Sequence, residues 1–355
     1  MRASPVFICG PARSGTTLLV RLLDSHPDLA VLPEETYVYQ DLLLQRRLSW
    51  LLVMLAERFD WPTLPALLLR PPFNRFAFAG RDRLRARLRA WVQSFDTTAP
   101  ADRIVDAAVR DARPSEGYWP AFLGVYDRLI PGTLATRHYW VEKTPSNERF
   151  IALHERAFSG TGRYIHVLRD PRDVVASWLK QRRDSATARE RTLVRICYLW
   201  SLSVHLCQWG LTTYAERYHA IRYEDLVRNP RDVMDGICRF LQIAPDDRVL
   251  APTKLGAPAA PNSSYEHAAA GAGIVASQIG RFREVLSVDE TAFVEGLLRR
   301  QMAACGFLPA ADAAPDGRRP PLPGDAARSW KSRGQVTRAW RLQREFADRP
   351  LAFSV

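Results

Sequence analysis

One stretch near the amino terminus constrains the fold more than any other. Residues 4–9 read SPVFIC, a short apolar run, and residues 10–17 read GPARSGTT. Apolar residues at helical spacing follow in LLVRLLDSH, and Pro27 stops them. A buried strand therefore runs through a glycine-containing loop into a helix, an arrangement whose backbone N–H groups and helix amino terminus bind an anion. The Gly10-x4-Gly15 spacing is that of a phosphate-binding loop, but Thr16 stands where a nucleoside triphosphatase carries lysine. Losing that lysine argues against a γ-phosphate. The N–H groups of Ser14 and Gly15, the hydroxyls of Thr16 and Thr17, and the Arg13 cation still suit a 5′-phosphate.

Downstream, RYIHVL and YHAIR read as two further buried strands. Helices are expected from Pro171, over about 188–215, over PRDVMDGICRFLQI, and from Ser287, a plausible N-cap. Strands alternating with helices predict an α/β fold, a parallel sheet of P-loop type flanked by helices on both faces. Residues 40–130 are mostly helix-like and rich in Trp, Phe and Arg. They form an insertion where an acceptor pocket or lid would lie, with Trp50, Trp61, Phe73, Phe76 and Trp91 lining it or packing a core. Residues 251–280 are rich in Pro, Ala, Gly and Ser and read as a long loop. Residues 310–329 have linker composition and 330–355 read as a basic tail helix, which leaves 1–309 as the main domain and the tail as separable.

Lys and Arg outnumber Asp and Glu by 50 to 38, a net charge of +12, so anionic partners are favoured. No apolar run reaches membrane-span length and no signal peptide precedes the first strand, which together predict a cytoplasmic protein. The five cysteines are widely spaced and lack a CxxC pair, so neither a disulfide framework nor a zinc site is expected.

The segment PARSGTTLLVRLLDSHPDLAVLPEET resembles the 5′-phosphosulfate-binding segment of sulfotransferases, most closely the tyrosylprotein branch and its bacterial relatives. The resemblance runs through scattered motifs over about residues 5–308. It implies a P-loop-like α/β fold, 3′-phosphoadenosine 5′-phosphosulfate (PAPS) as co-substrate, PAP as product and no metal. It also assigns a 3′-phosphate grip to Arg169 and Ser177 in VLRDPRDVVASW, which are eight residues apart. An arginine at a strand end above an α/β sheet suits that task independently of the family; the alternative is an Arg169–Asp170 surface ion pair. Tyr223 in IRYEDL matches a nucleotide-contacting tyrosine. Ser263 or Ser264, with Arg281, resembles the late loop that closes over the nucleotide.

For the reacting centre, the resemblance places a general base in the LPEET segment, at Glu35 or Glu34, with Glu35 preferred. Lys143 in YWVEKTPSN would stabilise charge on the bridging oxygen alongside Arg13; the alternative is a Glu142–Lys143 surface pair. His138 is a minor candidate base. The acceptor is a hydroxyl compound, whether phenol, sugar or natural-product alcohol; no nucleic acid is expected, and a homo-oligomer is compatible. Two other classes compete with this reading. A P-loop nucleotide kinase is disfavoured by Thr16, and a polyanion-binding protein by the lack of a recognised nucleic-acid-binding motif.

Overall fold

Strand β1 (Ser4–Cys9) carries no polar side chain after its first residue, and it becomes the middle strand of the sheet. The computed structural model describes residues 3–42, 80–95, 100–112, 118–181, 185–259, 273–274, 276–308, 330–345 and 351–353. With β1, strands β2 (Leu29–Val31), β3 (Tyr139–Lys143), β4 (Arg163–Leu168) and β5 (Tyr218–Arg222) form a five-stranded parallel sheet in the order β2-β3-β1-β4-β5. Ile8 pairs with Lys143 on one side of β1 and with Ile165 on the other. The short strands β2 and β3 join the three expected from the sequence. A two-stranded hairpin, β6 (Thr253–Lys254) and β7 (Ala257–Pro258), is separate.

Successive side chains of β1 point to opposite faces. Phe7 and Cys9 enter one core with Trp119, Trp140 and Tyr164; Val6 and Ile8 enter another with Leu19, Ile165 and Ile237. The helices covering these faces are α1 (Thr16–Leu23), α2 (Val38–Leu42), α3 (Arg81–Val92), α4 (Ala101–Asp111), α5 (Trp119–Leu129), α6 (Thr133–Thr136), α7 (Ile151–Ala157), α8 (Pro171–Gln181), α9 (Ala186–Thr213), α10 (Tyr223–Arg228), α11 (Pro230–Leu241), α12 (Val288–Ala304) and α13 (Trp330–Glu345). Ser287 caps α12 in a capping box with Glu290.

The basic tail helix α13 packs against α9 and α12, with Val336 and Ala339 fully buried. Arg300 N–H donates to Gln343 at 3.2 Å, and Leu351 N–H to the Ala304 carbonyl at 3.0 Å. The tail helix is thus packed on the body, where its apolar side chains complete the outer faces of two body helices. Trp91 is core, 2% exposed, rather than pocket lining; Trp50, Trp61, Phe73, Phe76 and the 310–329 linker lie outside the described residues. All five cysteines are buried and unpaired. Among the described residues no helix is long and apolar enough to cross a membrane.

Candidate active site

Parallel strands bring their carboxyl ends to one edge of the sheet, and the loops leaving that edge form the crevice of an open α/β fold. Gly10 follows β1, Lys143 closes β3, Arg169 follows β4 and Tyr223 follows β5. Between Gly10 and α1 the chain is tightly turned. A Cβ on Gly10 would meet the Val167 carbonyl oxygen at 2.4 Å, and one on Gly15 would meet the Tyr223 ring at 2.2 Å. Both glycines have positive φ, 131° and 95°, so the loop needs them twice over, for conformation and for space. The Ser14 hydroxyl is buried and donates to the Pro11 carbonyl at 2.7 Å, bracing the turn. Gly10 N–H donates to the buried Glu148 at 2.9 Å.

Arg13 leaves this loop at φ 77°. Its guanidinium donates to Gln181 and lies 6.0 Å from the Trp178 ring centroid. Burial lowers its pKa from the usual guanidinium value, an effect opposed by the nearby Glu35 charge.

Arg169 is buried and sits over the Tyr223 ring, 4.4 Å from its centroid. It donates to the Arg13 carbonyl at 3.3 Å and the Gln278 carbonyl at 2.6 Å. Its Nε is buried with no hydrogen-bond partner among the described residues. Arg169 lies 3.8 Å from Asp173, the carboxylate four residues on. Ser177 is buried a further turn along. Asp173 also accepts the N–H groups of Gly280 and Phe282 at 2.8 and 2.9 Å, which pins the 281–284 turn to α8. The Arg169–Asp170 pair does not form: Asp170 grips Arg172 at 2.6 Å, and Arg172 reaches on to Glu295. Arg281 pairs with Glu284 at 2.7 Å. Ser263 and Ser264 lie outside the described residues.

At the other side of the loop, the Lys143 ammonium donates to the Thr17 hydroxyl at 3.0 Å and to the Glu35 carboxylate. Lys143 and Glu142 are both buried, so neither belongs to a surface pair. Glu34 turns away from Glu35 and pairs with Arg21 at 3.4 Å and Lys254 at 2.7 Å. Helix α3 sets this divergence. Trp91 Nε1 donates to the Glu34 carbonyl at 3.0 Å, Arg87 Nε to the Thr36 carbonyl at 2.9 Å, and Arg87 also to the Glu35 carbonyl. His138 precedes β3, at the end opposite Lys143, and is an exposed partner of Asp28 at 3.4 Å. The length of the strand removes it from this cluster.

The sequence model of the sulfotransferase family matches residues 5–247. This chain belongs to the sulfotransferase family. A curated relative, protein-tyrosine sulfotransferase 1 of Danio rerio, is 24% identical over 246 residues, 69% of this chain and 55% of the relative, so the match spans about half of that protein. Among solved structures, the sulfotransferase domain of the Synechococcus PCC 7002 olefin synthase shares the fold at a TM-score of 0.52 and 23% identity. It covers 83% of this chain and 94% of that one. The sulfotransferase domain of the curacin biosynthetic pathway is 18% identical at a TM-score of 0.48, over 84% of this chain and 98% of that one.

Three glutamates among the described residues are buried, a placement the sequence did not announce. Glu142 accepts the Thr36 N–H at 3.2 Å, the Thr36 hydroxyl at 2.8 Å, the Asn147 amide at 2.8 Å and the Thr144 hydroxyl. Burial pushes its pKa up, and these donors oppose that rise. Glu148 joins Gly10 N–H to the Ser203 hydroxyl, which contacts His166 at 3.0 Å. Glu224 accepts Asp170 N–H at 3.0 Å. Its Oε2 is buried without a partner among the described residues, beside a cavity of about 310 Å³ that Arg222, Arg228 and Phe282 also line. The one signal for Glu142 and Glu224 was position, since each lies at the carboxyl end of a strand.

Proposed function

We propose that this chain transfers a sulfuryl group from PAPS to an acceptor hydroxyl and releases PAP, with Glu35 as general base. The observation that carries the reading is the Lys143 ammonium, which touches both the Thr17 hydroxyl at the phosphate-loop helix and the Glu35 carboxylate. One cation thus joins the anion-binding loop to a group able to take a proton.

The N–H groups around Gly15, with the Thr16 and Thr17 hydroxyls, would hold the 5′-phosphosulfate at the positive end of α1. Lys143 and Arg13 would stabilise charge on the departing oxygen. Arg169 and Ser177 would receive the 3′-phosphate, Tyr223 would contact the nucleotide, and the late loop with Ser263 or Ser264 and Arg281 would close over it. Glu35 would draw the proton from the acceptor as its oxygen attacks sulfur. The Danio rerio relative is named for protein tyrosine, which supports a phenol among the acceptor classes, with sugar and natural-product alcohols beside it. The cytoplasm remains our proposed location.

Thermal-shift titration with PAP, ATP and duplex DNA tests the reading, because a ligand of the native state raises the unfolding temperature. Stabilisation by PAP without Mg²⁺ is the expected result. Preferential stabilisation by ATP with Mg²⁺ would favour the kinase, and by DNA a polyanion-binding protein. Labelled PAPS with a panel of phenols, amines and sugar alcohols then tests transfer.

A further inference from the structure

The two oxygens of Glu35 have different partners. Oε1 accepts from the Lys143 ammonium, and Oε2 accepts from the phenol of Tyr37. A hydroxyl of this protein therefore already stands one hydrogen bond from the carboxylate, on the oxygen turned away from Lys143. That is the position from which an acceptor hydroxyl must give up its proton.

Other features hold the phenol there. Tyr37 has a φ of 51°, a left-handed conformation uncommon for an aromatic residue and typical of functional sites when it persists. Its backbone N–H donates to the Thr144 hydroxyl at 3.2 Å, tying it to the residue after Lys143. The Arg87 guanidinium lies 4.5 Å from the centre of its ring, a cation–π contact that helps hold the ring in place. The side chain is half-buried and faces the same carboxylate as the proposed acceptor.

We propose that Tyr37 is an internal acceptor, sulfated by its own active site when no external hydroxyl compound takes its place. The inference rests on the sulfuryl-transfer reading above. The phenol oxygen forms a bond to sulfur while the bond from sulfur to the 5′-phosphate oxygen breaks. The electron pair of the broken bond leaves with PAP, and the phenol proton passes to Glu35; nothing is oxidised or reduced. The product is a tyrosine O-sulfate at position 37. An external acceptor competes with this reaction, and completed self-sulfation closes the acceptor position.

The test incubates the purified full chain with sulfur-labelled PAPS and no acceptor. The expected result is one sulfuryl group per chain in the peptide containing Tyr37, PAP released in equal amount, and a first-order rate constant independent of protein concentration. Tyr37→Phe, with folding and PAP binding confirmed, should carry no label, and Glu35→Gln should slow labelling by about 10²–10⁴-fold. Sulfation of an external acceptor with Tyr37 unlabelled overturns the inference and leaves the sulfotransferase reading standing. Labelling at another residue, or a rate constant rising with protein concentration, also overturns it. A folded chain that forms neither labelled Tyr37 nor any external product overturns the sulfuryl-transfer reading and this inference together.

Discussion

Glu142 accepts two hydrogen bonds from a single residue, Thr36: one from its backbone N–H at 3.2 Å and one from its hydroxyl at 2.8 Å. Thr36 follows Glu35 and Glu142 precedes Lys143, so one fully buried carboxylate fixes the chain on both sides of the Glu35–Lys143 pair. Thr36→Val keeps the shape and removes the hydroxyl. It should destabilise the fold by about 1–3 kcal/mol, because a buried acceptor loses a partner. Glu142→Ala should cost more, since it strands donors on Thr36, Thr144 and Asn147. Urea denaturation measures both; an unchanged midpoint for Glu142→Ala would mean the cluster contributes nothing to stability.

Glu35→Gln keeps the size of the side chain but cannot take a proton. Turnover should fall by about 10²–10⁴-fold with PAP affinity nearly constant. Glu34→Gln, in a residue paired with Arg21 and Lys254, should change turnover far less. Near-normal turnover in both variants would remove the carboxylate mechanism.

PAP should bind far more tightly than AMP, because Arg169 and Ser177 are proposed to receive its 3′-phosphate. Arg169→Ala should weaken PAP by about 10–100-fold, the equivalent of a charge-assisted hydrogen bond, and leave AMP little changed. Calorimetry giving equal losses for the two ligands would place the effect in the loop or in Tyr223 instead.

Burial raises the Glu224 carboxyl from its usual 4.5 to about 7. A carboxyl raised in the native state binds its proton more tightly there than when unfolded. Its contribution is complete below about pH 4.5 and is lost as pH rises through 7, a shift corresponding to roughly 3 kcal/mol. Glu224→Gln should flatten the fall in stability between pH 5 and 8, read from unfolding midpoints across that range. A slope identical to that of the parent protein would exclude Glu224 as its source.

Deleting residues 330–355 exposes the faces of α9 and α12 that now cover Val336 and Ala339. The truncated chain should lose roughly 2–3 kcal/mol, the worth of burying about one such apolar side chain. An unfolding temperature equal to that of the full chain would show that the helix only rests on the body.

The strand ends were legible because β1, β4 and β5 are apolar runs long enough to carry a pattern. The loops after them then carry chemistry that a parallel sheet gathers at one edge. Strand β2, at Leu29–Val31, is too short for any pattern. The choice between Glu34 and Glu35 could not be read, because consecutive residues in extended chain diverge and the direction is set by Arg87 and Trp91, more than 50 positions away. Glu142 and Lys143 form an ordinary surface pair in one dimension. What buries them is the placement of β3 between β2 and β1, which no local signal announces.

The ring of Tyr223 occupies the space that a side chain at position 15 would need. The two positions are therefore sterically coupled. In a chimera of this chain with a relative, a crossover between them joins the phosphate loop of one parent to the tyrosine of the other. Such hybrids tolerate only glycine at 15 as long as an aromatic ring remains at 223. Replacing Tyr223 by a small residue frees the space but not the backbone, whose φ of 95° still calls for glycine at position 15.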